Sequence, residues 1–281
     1  MAKKRKGVLD YLIAFFGFIF FALKFIYGAL KWLALGIAGF FAYLASLLAK
    51  KAEKEKELEE ESRRPRAEAS FVPLREVEKG EGSLEQFESG LYSGKSLIGL
   101  VIGARGSGKS AIGMRVLENM RAKGLNVYAM GFNKQTLPAW INAVNSPEEV
   151  RPDSFLLVDE GGIEFSSRDS MSERNKLLSD LLLISRHKGL SILFITQNSA
   201  NIEVNTLRQV DYLLLKNPSL LQLDFERKAI RDLYSKSKPG FEKYKGDAGL
   251  AYLHSHNCAL FVSNSLPSFW SNEVSTAYRA K

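Results

Sequence analysis

One stretch constrains the chain more than any other: Leu97-Ile98-Gly99-Leu100-Val101-Ile102, followed directly by Gly103-Ala104-Arg105-Gly106-Ser107-Gly108-Lys109-Ser110. The apolar run is short, bounded and partly β-branched, which predicts a buried strand of a parallel sheet. The residues after it satisfy G-x-x-x-x-G-K-[ST], a loop that wraps phosphates. Wrapping needs several backbone N–H groups pointing inward, and Gly106 and Gly108 remove the Cβ atoms that would block it. Lys109 supplies a point charge for the β- and γ-phosphates. Ser110 supplies a hydroxyl ligand for Mg2+, and a helix from Ala111 to Arg121 aims its N-terminus at the same phosphates. The plain alternative is a glycine-rich strand–helix turn that matches by chance.

A second stretch supplies what the loop lacks. Ser154-Phe155-Leu156-Leu157-Val158 reads as another buried strand, and it ends in Asp159-Glu160 about 50 residues after the loop. Acids at a strand end beside phosphates divide two tasks. Asp159 holds Mg2+, directly or through water, and Glu160 is the general base that activates the attacking water. Without the loop, such a pair would read as a helix cap. A further apolar run, Leu190 to Thr196, ends in Gln197, an amide placed to hydrogen-bond the attacking water or the γ-phosphate; otherwise it is an ordinary polar strand end. Arg174, Arg186 and Arg208 are candidates for an arginine finger offered to a neighbouring copy, each equally readable as a surface arginine. His187, His254 and His256 show no metal-ligand spacing and read as structural or surface residues.

The N-terminus follows different rules. Residues 1–7 form a basic tip, and 8–49 are almost continuously apolar, with runs Tyr11 to Leu23 and Leu33 to Leu48 around a lysine-bearing centre, Lys24 to Lys31. Each run reaches spanning length if the flanking lysines snorkel. Basic residues at both outer ends then favour a transmembrane helical hairpin with both ends cytoplasmic. A cleaved signal peptide is too short a reading for so long a stretch; an amphipathic pair lying in the interface is the other alternative. Residues 50–66 alternate in charge and predict a solvated helical spacer ending near Pro65. Net charge is +8, which calls for an anionic partner, nucleic acid or a membrane surface. The single cysteine, Cys258, excludes an internal disulfide and reads as a small buried residue.

The remainder, 67–281, has the pattern of one α/β domain. Asn126 to Phe132 and Asp211 to Lys216 read as further strands, Asn175 to Lys188 as an amphipathic helix, and Leu137 to Val144 as a short helix. Alternating strands and helices predict a parallel sheet covered on both faces. Leu250 to His254 and Asn257 to Ser263 predict a C-terminal hairpin. Ala67 to Ser93 is irregular and wraps either its own domain or a neighbouring subunit.

The ordered set of Gly103 to Ser110, Phe155 to Glu160 and Ile184 to Asn198, with Arg186 leading into a strand that ends Thr196-Gln197, resembles the FtsK/HerA superfamily of ring ATPases. The resemblance covers roughly Leu97 to Lys216. It implies a RecA/FtsK-HerA-like P-loop NTPase fold, ATP and Mg2+ as cofactors, and a homo-oligomeric ring, a hexamer, that moves double-stranded DNA. It also implies Lys109 and Ser110 for phosphate and magnesium, Asp159 and Glu160 for hydrolysis, and Gln197 as sensor. With the motif reading, Gly103, Ala104, Arg105, Gly106, Ser107, Gly108, Lys109 and Ser110 are then the expected nucleotide-binding residues, Ser110 and Asp159 the metal ligands, and Glu160, Lys109 and Gln197 the catalytic set, with Arg186 the finger candidate placed beside them. Arg186-His187-Lys188-Gly189 and Thr196-Gln197-Asn198 are similar, too, to zonular-occludens-toxin-like phage assembly ATPases, from which the chain departs because its membrane segment comes first.

The expected function is therefore a membrane-anchored, ATP-driven motor for genome packaging or DNA transfer, in a host or virion membrane with its ATPase domain cytoplasmic. Lys216, Arg227, Lys228 and Arg231 would be channel or surface cations. The alternatives are an ATPase that drives virion assembly or protein secretion, and a membrane scaffold that binds nucleotide but turns it over slowly.

Overall fold

The structure is a computed structural model that describes residues 8–159, 161, 163, 170–202, 204–271 and 273–274. Internal contacts divide the chain into two units, Met1–Ser62 and Arg63–Lys281.

The described residues of the first unit form one helix, α1 (Val8–Arg63), 56 residues long, whose last residue falls in the second unit. At about 1.5 Å per residue it extends about 84 Å. The helical hairpin expected over 8–49 is not formed, and the argument for both ends on one side of a membrane falls with it. The reason is local: Lys24 to Lys31 holds no proline, and its one glycine, Gly28, weakens a helix by only about 1 kcal/mol. Continuing the helix keeps every backbone hydrogen bond, which a turn there would break. Lys24 and Lys31 lie seven residues apart, hence on one side of the helix, and the Lys24 ammonium rests 5.0 Å from the centre of the Phe20 ring. Among the described residues, this is the one helix long and apolar enough to cross a membrane, with a mean hydropathy of 1.9 over its most apolar stretch and none of that stretch buried. The charged stretch 50–63 continues the same helix, with Lys51 and Glu55 paired at 3.8 Å.

The second unit runs β1 (Arg75–Gly82), α2 (Leu84–Leu91), β2 (Ile98–Ile102), α3 (Lys109–Ala122), β3 (Asn126–Met130), β4 (Asn142–Val144), β5 (Ser154–Asp159), α4 (Ser170–Lys188), β6 (Ser191–Thr196), α5 (Val204–Leu207), β7 (Tyr212–Leu215), α6 (Gln222–Phe225), α7 (Lys228–Lys243), β8 (Leu250–Ser255) and β9 (Cys258–Ser263). Among the described residues the strands form one sheet in the order β1-β9-β8-β7-β2-β6-β5-β3-β4. From β7 to β4 the pairings are parallel; β8, β9 and β1 add on antiparallel.

Alternation along the strands loads both faces. Val101, Leu157 and Leu193 pack with Ile112, Met114 and Leu117 of α3. Leu100, Ile102 and Leu156 face the other way, onto Leu178 and Leu181 of α4 and Ile230 and Tyr234 of α7.

Two local expectations are corrected. Leu137 to Val144 is not a helix: a 3-10 turn, Lys134–Thr136, precedes it and β4 closes it. Pro138 holds Leu137 extended (φ −103°, ψ 144°), which stops a helix before it starts. Ala67 to Ser93 is not wholly irregular, since it contains β1 and α2. Residues 64–74 before them form a strap on their own domain. The Arg64 guanidinium donates to the carbonyls of Leu137, Pro138 and Ile141 at 2.9, 2.6 and 2.8 Å. Trp140 Nε1 donates to Ala67 O at 2.7 Å, and Asn119 of α3 exchanges two hydrogen bonds with the backbone of Val72.

Candidate functional site

The phosphate-loop motif is a strand–loop–helix unit in this fold. β2 ends at Ile102 and α3 begins at Lys109, with the glycine-rich turn between them. Gly106 and Gly108 hold φ of 77° and 88°, left-handed values that a side chain strains against. Gly103 is required for space: a Cβ there would come within 2.6 Å of the Lys216 Cβ. The neighbouring strand steadies the loop, with Asn217 O accepting the Ala104 N–H at 3.0 Å.

The charged and hydroxyl groups converge. Lys109 is buried, and its ammonium donates to Gly103 O at 2.9 Å and Ala104 O at 2.8 Å, spanning the mouth of the loop. Burial lowers its pKa, and the Asp159 carboxylate opposes that shift. Ser110 Oγ donates to Asp159 Oδ2 at 3.0 Å, and Asp159 Oδ1 accepts the Gly161 N–H at 3.0 Å. β6 lies between the loop strand and the acid strand, with Ile102 level with Thr196 and Ile195 level with Asp159. The loop, Asp159 and the end of β6 therefore share one edge of the parallel sheet. Gln197 follows β6 on that edge; its side chain is exposed and its carbonyl accepts from Gln222 Nε2 at 2.9 Å.

Other expectations land differently. Glu160 lies outside the described residues. Arg105 is exposed on the loop. Arg186 sits in the last turn of α4, just before β6 begins, and so at the opposite edge of the sheet from the loop; its guanidinium donates to Gln209 Oε1 at 2.9 Å. Arg208 also precedes its strand, β7, on that far edge. Lys216 is not a channel or surface cation. It is 1% exposed, closes β7 beside the loop, and donates to Ala248 O at 3.1 Å. Burial pulls its pKa down to about 8, with Asp247 opposing and Lys109 assisting. One signal for Lys216 lies in the sequence: like Asp159, it is a polar residue ending an apolar strand run.

Hard oxygen ligands suit Mg2+, which is normally held by one or two protein groups together with substrate phosphates and water. The touching Ser110 hydroxyl and Asp159 carboxylate fit that pattern, and among the described residues no group of three or more His, Cys, Asp or Glu side chains is placed to hold a metal ion by itself. A cleft of about 820 Å3 flanks the loop at Gly106 to Gly108 and extends to Tyr244 and Trp270.

No protein-family model matches this chain, and no curated protein matches it. Solved structures do. The genome packaging NTPase B204 of Sulfolobus turreted icosahedral virus 2, in complex with AMPPCP, aligns at 12% identity over 62% of this chain and 99% of its own, with a TM-score of 0.42. The conjugation coupling protein TcpA of pCW3, with ATPgS, aligns at 12% identity over 77% of this chain and 73% of its own, with a TM-score of 0.45. The type VII secretion ATPase EccC of Thermomonospora curvata aligns at 15% identity over 64% of this chain and 28% of its own, with a TM-score of 0.39. These are P-loop ATPases of the FtsK/HerA type. At such identities and scores the likeness carries no residue role across, and the functional reading rests on this chain's own site.

Proposed function

We propose that this chain is an ATP-hydrolysing motor of the FtsK/HerA type, anchored in a membrane by α1, that moves double-stranded DNA as a homo-oligomeric ring. One observation carries the reading: Lys109 and Ser110 open α3 directly above the Asp159 carboxylate, with Ser110 Oγ 3.0 Å from it, at the sheet edge where Gln197 also stands.

Each group has a task. Backbone N–H groups of the loop and the first turn of α3 receive the phosphates. The Lys109 ammonium exchanges its loop carbonyls for phosphate oxygens, a stronger charge-assisted contact. Ser110 and Asp159 would hold Mg2+, which neutralises charge on the phosphates when bound. Glu160, next after Asp159, accepts the proton of the attacking water, and the Gln197 amide orients that water. Arg186 points away from its own loop edge, so a role in hydrolysis would be on a neighbouring copy. The basic balance of the chain supports a polyanionic cargo held by phosphate contacts without sequence reading.

A second reading draws on the edge of the domain after β7. Leu220, Leu221 and Phe225 are 93%, 60% and 68% exposed, an apolar surface better suited to protein than to phosphate. It favours an ATPase that drives virion or protein assembly at the membrane.

The test is ATP hydrolysis by the full-length chain with and without long duplex DNA. Lys109→Ala and Glu160→Gln are expected to lower turnover by about a hundredfold or more. Stimulation by duplex, lost in both variants, supports the DNA motor. Turnover lost in the variants but indifferent to duplex supports the assembly reading. Undiminished turnover in Lys109→Ala refutes both.

A further inference from the structure

The turn that presents Gln197 is not held by backbone bonds alone. Gln222, in the four-residue helix α6, is buried, and its Nε2 donates both to Gln197 O at 2.9 Å and to Glu226 Oε1 at 2.9 Å. Its Oε1 accepts the Ser219 N–H at 3.2 Å. Glu226, also buried, accepts the Ser199 N–H at 3.1 Å and the Ser199 hydroxyl through Oε2. Arg227 completes the set by donating to Ser199 O at 3.2 Å and Ile202 O at 2.8 Å. An amide, a carboxylate and a guanidinium from one short segment thus grip residues 197–202 at five points. The other end of that segment begins at Asn217, whose carbonyl holds the Ala104 N–H of the phosphate loop.

This arrangement is costly for mere packing. A helix of four residues has almost no stability of its own, and burying an amide and a carboxylate carries a desolvation penalty that apolar side chains of similar volume avoid. The return is geometric: the peptide after Gln197 is fixed by directed bonds. Position matters there, because a displacement of about 1 Å in a group that orients a reactant can lower a rate a hundredfold.

We propose that Gln222, backed by Glu226, is a positioning residue for Gln197: it sets the peptide from which the Gln197 amide reaches the attacking water, and so acts on turnover through Gln197. The proposal rests on the nucleotide-hydrolysis reading above. It also makes the segment from Asn217 to Arg227 a bridge between the two sides of the site, the phosphate loop and the Gln197 turn.

The experiment is a double-mutant cycle in the full-length chain, reading kcat, KM and thermal unfolding for Gln197→Ala, Gln222→Met and both together, beside Lys109→Ala. Gln222→Met is expected to lower kcat about tenfold to a hundredfold with KM changed less than about twofold. In the Gln197→Ala background the same substitution is expected to lower kcat no further, because its route of action is already gone. Glu226→Gln, which keeps the side-chain volume, is expected to give a smaller fall in kcat that also vanishes in that background; it carries the test if Gln222→Met does not fold. Equal falls in both backgrounds, or an unchanged kcat in a folded Gln222→Met, overturn the positioning role alone. Undiminished turnover in Lys109→Ala, or no turnover in the unaltered chain, overturns the hydrolysis reading and this proposal with it.

Discussion

α1 and α3 obey opposite rules. In α1 the large apolar side chains face outward, Phe18 71% and Trp32 79% exposed. In α3 eleven of fourteen residues are buried, among them Lys109, Arg115, Glu118 and Asn119. Each arrangement would be unstable in the other's surroundings. Arg115 pairs with Glu118 at 2.9 Å; Glu118 also accepts the N–H groups of Ser70 and Ser268 at 3.1 Å, and Arg115 reaches the carbonyls of Ser265 and Leu266. Polar groups enter the α3 side of the core because the strap before β1 and the tail after β9 bring partners to them. Among the described residues no such partners meet the apolar surface of α1, and an exposed apolar surface of that extent is typical of one that another phase or protein covers.

The largest expected effect tests the α1 side. The full-length chain should float with phospholipid vesicles in a density gradient, and a variant lacking 8–49 should stay at the bottom. If the full-length chain also stays down, lipid is not what α1 meets, and the contrast between the two helices is not one of solvent.

The next effect tests α3. Glu118→Ala leaves a buried guanidinium without its counter-charge and two N–H groups without their acceptor, and should destabilise the α/β domain by about 3–5 kcal/mol in chemical denaturation. Combining it with Arg115→Met should cost less than the sum of the two single changes by about 1 kcal/mol or more, since the second removes the stranded charge. Strict additivity would mean that the pair is not coupled and that the strap alone holds this region.

The same contrast governs what could be read from residues. β2, β3, β5, β6 and β7 are apolar runs closed by turn or polar residues, and the parallel sheet was legible from them. β1 was not, because Arg-Glu-Val-Glu-Lys-Gly-Glu-Gly is an edge strand whose pairing depends on β9 and on Gly80 and Gly82, where a Cβ would strike the backbone oxygens of Ala259 in β9 and of Asn257 just before it. Lys24 and Lys31 mimic loop markers by their charge, while the residues around them keep an unbroken helix propensity that decides the outcome. At the site, the contact of Ser110 with Asp159 followed from the motif order, since parallel strands end on one edge. Gln222 and Glu226 left no signal: their meaning lies in bonds to a turn about 25 residues away, which no local pattern encodes.

Lys216 is where the α3 rule is relaxed, and it gives the smallest and sharpest test. Its buried ammonium has three hydrogens, and among the described residues the one acceptor it donates to is Ala248 O. Burial lowers its pKa from the ordinary amine value of 10.5 to about 8. The sign follows from linkage: between pH 8 and 10.5 the unfolded chain binds the proton and the folded chain does not, so stability rises with pH across that window. Below it, the buried charge opposes folding in full. Lys216→Met should therefore stabilise the domain by on the order of 2 kcal/mol at pH 7, with the gain shrinking by pH 9.5 and gone above the amine's unfolded pKa. Denaturant midpoints at the two pH values read this directly. A gain that does not shrink with pH would mean that methionine merely packs better. A loss at pH 7 would mean that the single bond to Ala248 stabilises more than the burial of the charge costs, and that the loop edge follows the α3 rule after all.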